Sequence, residues 1–398
     1  MNICIINVDS QPQFIGGIKR VCVSLAHQWI LQGINVCFVC IGDSQKRYNT
    51  VAGIPQTHLP NPTNVLSKTN KVFLQQLIQE KKIDILFNPF MDCQDVTRIC
   101  FEMCIVSKAK LITVWHFSPT HFIDIVDNSF FIHFRLGSPI QRYLLDSLLW
   151  IKWKLIKRKK VLRTWSLYFK ECIYNSDAVV FLSSRYLPIV NQMINHHDNK
   201  VIAINNPNSY ETKDIIASIK KEKVVLWSGR LGYDAKRTDK MLSIWKRVSS
   251  IHKDWKLIVC GSGNSEYFKK LCIKYHIENV EFPGFVNMEE YYAKASILCN
   301  TSVAEGLPLV LVEAIQYGCI PMAFDNYASV RDIIESGKNG YIISAFNENE
   351  YARKLDLLMS DENLRQKMSS NGRESINRFN PKDIAQQWVV LFKKLMSA

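Results

Sequence analysis

One pattern constrains this chain above all: a short apolar run, a polar loop, a helix-length amphipathic stretch and a second apolar run, and later the same succession again. Residues 2–8, NICIINV, read as a buried strand rich in β-branched side chains. Gly16 and Gly17 follow, a helical pattern occupies 18–32, and 37–41 supplies the next strand. Strand, helix and parallel strand make a right-handed crossover, so a parallel sheet is expected. Residues 82–88, 110–113, 178–182 and 201–204 read as further strands, with Ser183 and Ser184 capping the helix after the third. The pattern restarts at 223–227. Strands are expected at 255–259, 280–282, 296–299, 320–323 and 341–343, and helices over 238–249, from 289, and within 305–317. The fold class is therefore α/β, with two Rossmann-like parallel-sheet domains, 1–205 and 206–398, joined near 205–211. Chains of this build hold ligands at the carboxyl ends of strands, here expected in a cleft between the halves.

The chemistry concentrates in residues 300–317, NTSVAEGLPLVLVEAIQY. Two carboxylates, Glu305 and Glu313, flank Gly306, Leu307, Pro308 and Leu309. Pro308 suits the first turn of a helix, where its missing N–H costs nothing. Gly306 lets backbone approach a ligand closely. The expected arrangement is a loop feeding a helix whose free N–H groups face an anion. Glu313 would then sit inside that helix among apolar residues, where a carboxylate needs a partner or a role. A second cluster holds Gly229 and Arg230, with Lys236 and Arg237 downstream. A diphosphate needs fixed positive charge at close range, and arginine offers a planar fork for it. The bland alternative for that cluster is a solvated basic turn, and for Gly261–Ser262–Gly263 a tight turn.

The formal net charge of +14 directs attention to polyanionic partners: nucleic acid, an acidic membrane surface or phosphorylated substrates. No helix-turn-helix, zinc finger or aromatic RNA-binding motif is present, so nucleic acid is not the expected partner. Twelve cysteines are scattered singly apart from Cys37 and Cys40, whose CFVC lies in a buried strand; free thiols in a reducing compartment follow, with no metal site. The start, MNICIINVDS, lacks a basic n-region and a cleavage site, and no run reaches the roughly 18–20 apolar residues of a membrane span. A cytoplasmic protein is expected.

The Glu-Gly-Leu-Pro…Glu pattern at 305–313 resembles the nucleotide-sugar site of the retaining glycosyltransferases of family 4, the glycosyl transferases group 1, which have the GT-B fold. The stretch WSGRLGYDAKR at 227–237 is similar to that family's Gly-Arg-Leu…Lys segment, and WKLIVCGSGNSEYFKKL at 255–271 to its strand and Gly-x-Gly loop. The resemblance is strong over 223–343. In the first half it rests on architecture and two loops. It implies that Arg230 and Lys236 neutralise the donor's diphosphate, with Lys236 assigned less firmly against Arg237. Glu305 would orient the donor sugar, and Glu313 would bind ribose hydroxyls. Gly229, Gly261 and Gly263 would line the donor site, and the backbone at Phe285 would meet the nucleobase. Gly16 and Gly17 would approach the donor phosphate or the acceptor. His116, in VWHFSP, falls where many members place a histidine near the transferred sugar, though a lone histidine can equally be a satisfied, partly buried ring. The implied reaction takes a sugar, expected from a UDP-sugar, to a hydroxyl with retention, and needs no cofactor. No Asp-x-Asp motif for a metal is seen. In GT-B proteins the last helix, here 381–396, often crosses back to the first domain.

Residues 140–165, IQRYLLDSLLWIKWKLIKRKKVLRTW, form a basic, tryptophan-bearing segment, and no acceptor motif is present. From Ile151 to Arg163 the segment holds seven basic residues and no acidic one, beside Trp150 and Trp153. An amphipathic helix on an anionic bilayer fits, as does a helix packed on its own domain with a solvated basic face. The first reading suits a glycan or polyprenyl-diphosphate-linked acceptor in cell-surface polysaccharide, capsule or lipopolysaccharide synthesis. The rivals are a GT-B nucleotide-sugar epimerase, a phosphorylase, an inactive scaffold and a basic nucleic-acid-binding protein.

Overall fold

The computed structural model describes residues 1–7, 16–42, 48–128, 139–210 and 220–397. It holds two compact units: Met1–Pro119, Thr164–Ser209 and Arg378–Ala398 form the first, Thr120–Arg163 and Tyr210–Asn377 the second. A division at 205–206 differs from this grouping at 120–163, which falls in the second unit, while the last helix groups with the first unit.

The first unit carries an eight-stranded sheet. Its strands are β1 (Asn2–Asn7), β2 (Asn35–Cys40), β3 (Thr50–Val51), β4 (Ile54–His58), β5 (Ile85–Asn88), β6 (Lys110–Trp115), β7 (Ala178–Phe181) and β8 (Val201–Ala203). They lie in the order β3-β4-β2-β1-β5-β6-β7-β8, parallel except for the β3–β4 pair. The central strands are apolar on both faces, as a sheet covered on both sides requires. β5 starts three residues later than the sequence pattern suggests, because Lys82 turns the chain at φ 48°. The helix Gly17–Leu31 buries Trp29, whose ring meets Phe87 at 5.5 Å, Phe392 at 5.0 Å and Trp388 at 6.3 Å. Trp388 and Phe392 belong to the final helix, Pro381–Ser397, so that helix is held in this unit by edge-on aromatic packing.

The second unit carries a six-stranded parallel sheet. Its strands are β9 (Glu222–Ser228), β10 (Lys256–Cys260), β11 (Val280–Gly284), β12 (Ala295–Asn300), β13 (Ile320–Phe324) and β14 (Tyr341–Ile343), in the order β11-β10-β9-β12-β13-β14. Trp227, Trp245 and Trp255 anchor its core with Met241, Leu257 and Tyr351. From β9 the chain winds one way to β10 and β11, then jumps to β12 and winds the other way. A crevice for ligands opens where such winding reverses, so the loops after β9 and β12 are the ones to inspect.

Candidate active site

Main-chain bonds join the loop after β9 to those after β10 and β12, and the loop after β10 to the end of β11. The Gly229 N–H donates to Cys260 O at 3.0 Å, Leu231 N–H to Ser262 O at 2.7 Å, Gly261 N–H to Gly284 O at 2.7 Å, and Val303 N–H to Ala235 O at 2.7 Å. Glycine is obligatory at Gly261 and, two residues on, at Gly263. A Cβ on Gly261 (φ 142°) would stand 1.8 Å from Gly229 O, and one on Gly263 (φ 128°) 2.7 Å from Leu231 O. The GSG sequence is thus more than a tight turn: it lets the loops after β9 and β10 touch backbone to backbone. Thr301, just past β12, accepts from the Trp227 indole N–H at 2.9 Å and donates to the Lys236 and Arg237 carbonyls at 2.9 and 3.0 Å.

The crossing of these loops brings Lys236 to Glu305: Nζ lies 2.5 Å from Oε1, with the two side chains 28% and 13% exposed. That is enough shelter to strengthen the pair and enough opening for a ligand. Arg230 is 69% exposed and reaches Asp234 at 2.7 Å, one helical turn of spacing away on the same loop. The structure separates Lys236 from its neighbour. Arg237 is 2% exposed, sits at φ 51°, chelates Asp239 through Nε and Nη2 at 2.9 and 2.8 Å, and donates from Nη1 to Asn128 O at 2.7 Å. Arg237 is a buried structural ion, so Lys236 is the cation available to a ligand here.

Past Glu305, the residues Gly306, Leu307, Pro308 and Leu309 are buried. Pro308 occupies the N-cap, with φ −72° and ψ 96°, one position before the helix Leu309–Gln316 and not within its first turn. Its carbonyl still accepts the first backbone bond, from Leu311 N–H at 3.0 Å. Glu313 has no exposed surface and takes a 2.9 Å hydrogen bond from the Tyr292 hydroxyl. Of the four charged side chains singled out in this unit, the structure joins Lys236 to Glu305 directly, while Arg230 and Glu313 have partners of their own.

Phe285 is 66% exposed beyond Gly284, which turns at φ 83°. In the first unit, Gly16 holds φ 98° at the start of the helix that begins with Gly17. His116 follows β6, and burial pushes its imidazole down to about 3, although part of the ring's surface is open. Sequence reasoning missed His121. It lies in the second unit, where burial pushes its pKa down to about 4 against the pull of Glu305, and Lys236 and Asp234 also act on it. The only sequence signal was a second histidine in VWHFSPTH. Among the described residues no group of three His, Cys, Asp or Glu side chains could hold a metal.

The basic segment forms a helix, Pro139–Lys152, a turn of π-helix, Trp153–Lys157, and a second helix, Arg158–Asn175; the side chains of 140–143 lie outside the described residues. The π-turn tucks Trp153 inward, where its indole N–H donates to Asp127 Oδ1 at 2.6 Å. Lys154 and Arg158 close on Asp127 Oδ2 at 3.1 Å each. Burial raises the Asp127 carboxyl, but these three donors outweigh it and hold it below the usual range. The opposite side is apolar and open: Leu144, Leu148, Ile151 and Leu155 repeat at helical spacing and are 65%, 67%, 46% and 72% exposed. Lys152, Lys157, Lys159, Lys160 and Arg163 are exposed beside them. Among the described residues no helix is long and apolar enough to cross a membrane.

Each unit is built on a sheet wound both ways from a reversal point, and two such units in one chain are the GT-B fold. Residues 208–375 match the family model of the glycosyl transferases group 1. Over 377 residues, 94% of this chain and 95% of the other, the protein is 26% identical to an uncharacterized glycosyltransferase of Haemophilus influenzae. It is also 27% identical, over 46% of this chain and 51% of the other, to a Campylobacter jejuni α-1,4-N-acetyl-D-galactosaminyltransferase acting on a GalNAc-GalNAc-diNAcBac-PP-undecaprenol. Its fold matches that of an S. aureus TarM variant in complex with Fondaparinux, α-GlcNAc-glycerol and UDP, with a TM-score of 0.71 at 13% identity over 98% of this chain and 99% of that one.

Proposed function

We propose that this glycosyltransferase moves a sugar from a UDP-sugar to a hydroxyl of a lipid-linked glycan, with retention of configuration, on the cytoplasmic face of an anionic membrane. The observation that carries the reading is the Lys236–Glu305 pair, set where the second sheet reverses its winding on loops fixed by Gly261 and Gly263. Lys236 and Arg230 supply positive charge for the diphosphate, so neither cofactor nor metal is required. The helix that follows Pro308 adds its free N–H groups. Glu305, turned from Lys236 once phosphate takes that cation, orients the sugar hydroxyls. The bond from the anomeric carbon to the diphosphate oxygen breaks, the acceptor oxygen bonds to that carbon on the same face, and the acceptor's proton passes to the leaving phosphate. Glu313 is the ribose-binding carboxylate. Because it is enclosed and held by Tyr292, donor binding has to open its cover. UDP in the TarM complex and the undecaprenol-linked acceptor of the Campylobacter enzyme support the two substrate classes.

The acceptor's membrane is met by the open apolar stripe of 144–156 and its flanking lysines. Each basic residue near an anionic surface contributes roughly 1 kcal/mol. A thermal-shift panel of UDP-, GDP- and ADP-sugars tests the donor: UDP-sugars should raise Tm, and a shift with GDP- or ADP-sugars alone would overturn it. Conversion of the UDP-sugar to its epimer without an acceptor would mark an epimerase instead. Neutralising Lys157, Lys159 and Lys160 together should release the protein from phosphatidylglycerol liposomes; unchanged co-sedimentation would overturn the membrane assignment.

A further inference from the structure

Arg237 and Asp127 are two charged residues that the transfer reaction does not use, yet both are heavily partnered. Asp127 is gripped by Trp153, Lys154 and Arg158 of the basic arm. The next residue, Asn128, gives its carbonyl to Arg237 Nη1 at 2.7 Å. Arg237 precedes the helix Thr238–Val248, and its own carbonyl, with that of Lys236, is bonded to Thr301. A continuous run of contacts therefore leads from the arm, through Asp127, Asn128 and Arg237, to Lys236 and Glu305.

Two physical features make that run sensitive. Arg237 holds a left-handed backbone, which costs a non-glycine residue about 1–3 kcal/mol and persists only where surroundings over-determine it. Its guanidinium is almost fully buried, so losing Asn128 O would leave a charged donor unsatisfied in the interior. If the arm shifts, the cheapest response is for Arg237 to readjust. It cannot do so without moving the carbonyl that Thr301 ties down and the adjoining Lys236.

We propose that Arg237 is a positioning residue through which the arm, residues 120–128 and 144–163, sets the geometry of the Lys236–Glu305 pair, so that seating the arm on an anionic bilayer alters donor affinity. This rests on the reading of that pair as the donor site. The test measures UDP affinity by calorimetry for the full chain, alone, with phosphatidylcholine vesicles, and with phosphatidylglycerol-containing vesicles. The wild type should change its Kd by about fivefold or more with the anionic vesicles only, the low end of an allosteric coupling. Asp127→Ala, which frees the arm but touches no part of the donor site, should bind UDP and lose the response. Arg237→Gly, which suits the left-handed backbone, should lose it too; if that variant fails to fold, Asp127→Ala alone decides. A wild type that binds UDP with the same affinity in all three conditions overturns the coupling while leaving the donor site standing. An Asp127→Ala that responds like the wild type overturns it as well. A wild type that binds no UDP overturns the donor site itself, and the coupling with it.

Discussion

The two sheets are wound on one plan, yet their carboxyl edges are finished differently. In the second unit, four backbone hydrogen bonds and two clash-enforced glycines weld the loops after β9, β10 and β12 and the end of β11 into a single floor, and charge is set on it. In the first unit, a Cβ at Gly16 would meet no atom within 4 Å, and His116 is an uncharged ring at the end of a strand. The difference fits the roles proposed for the two edges, a donor diphosphate on the second and an acceptor hydroxyl on the first. A diphosphate has one shape and a fixed charge, and is best held by groups that need no rearrangement.

The sharpest break of this comparison is one alanine in each unit. Gly261→Ala drives a methyl into the Gly229 carbonyl, and neither side is a flexible side chain. It should destabilise the second unit by roughly 3 kcal/mol and abolish UDP-sugar binding. Gly16→Ala suffers only from its positive φ and should cost about 1 kcal/mol. Calorimetric unfolding of both variants checks the pair; equal losses would mean that the second floor is not a weld. Next in size, Glu305→Gln should keep the fold and lower kcat about 100-fold or more, the range seen when one group aimed at a reacting centre is removed. Arg230→Ala, at an exposed pair with Asp234, should cost nearer tenfold and act mainly through KM for the donor. If Arg230→Ala proved as damaging as Glu305→Gln, Arg230 would have to turn inward on binding.

The same contrast explains what could be read from sequence. The second unit's site was legible because its groups sit at short, fixed spacings in the chain: Gly229–Arg230, Gly261–Gly263 and Glu305–Glu313. Its partners were not, because Thr301, Tyr292 and Asn128 reach those residues only through tertiary packing, and none carries a spacing signal. The choice between Lys236 and Arg237 needed burial, which two adjacent cations do not reveal. The first unit was legible as architecture, by strand periodicity, but not as chemistry. Residues 120–163 read as part of the first half by chain order, whereas the Asn128 carbonyl is bonded to Arg237 of the second unit. The last helix, apolar at helical spacing, declared that it packs, and the resemblance named the domain but not the residues; Trp29 and Phe87 supply those.

The smallest expected effect concerns the two histidines. His116 and His121 have folded pKa values near 3 and 4, both depressed from 6.5 by burial. Between those values and 6.5 the unfolded chain binds protons that the folded chain refuses, so both residues should lower stability as pH falls through that window and do nothing above it. At pH 7 both are neutral, and neither should put a limb on the pH–rate profile between about 6.5 and 8. They differ in one respect. The Glu305 carboxylate pulls the His121 pKa upward, whereas His116 is displaced by burial alone. Glu305→Gln should therefore lower the His121 pKa further and leave His116 where it is, read from imidazole resonances across a pH series. A His116 that followed the substitution would mean that it too lies in the field of the donor site, and the uncharged description of the first unit's edge would have to be given up.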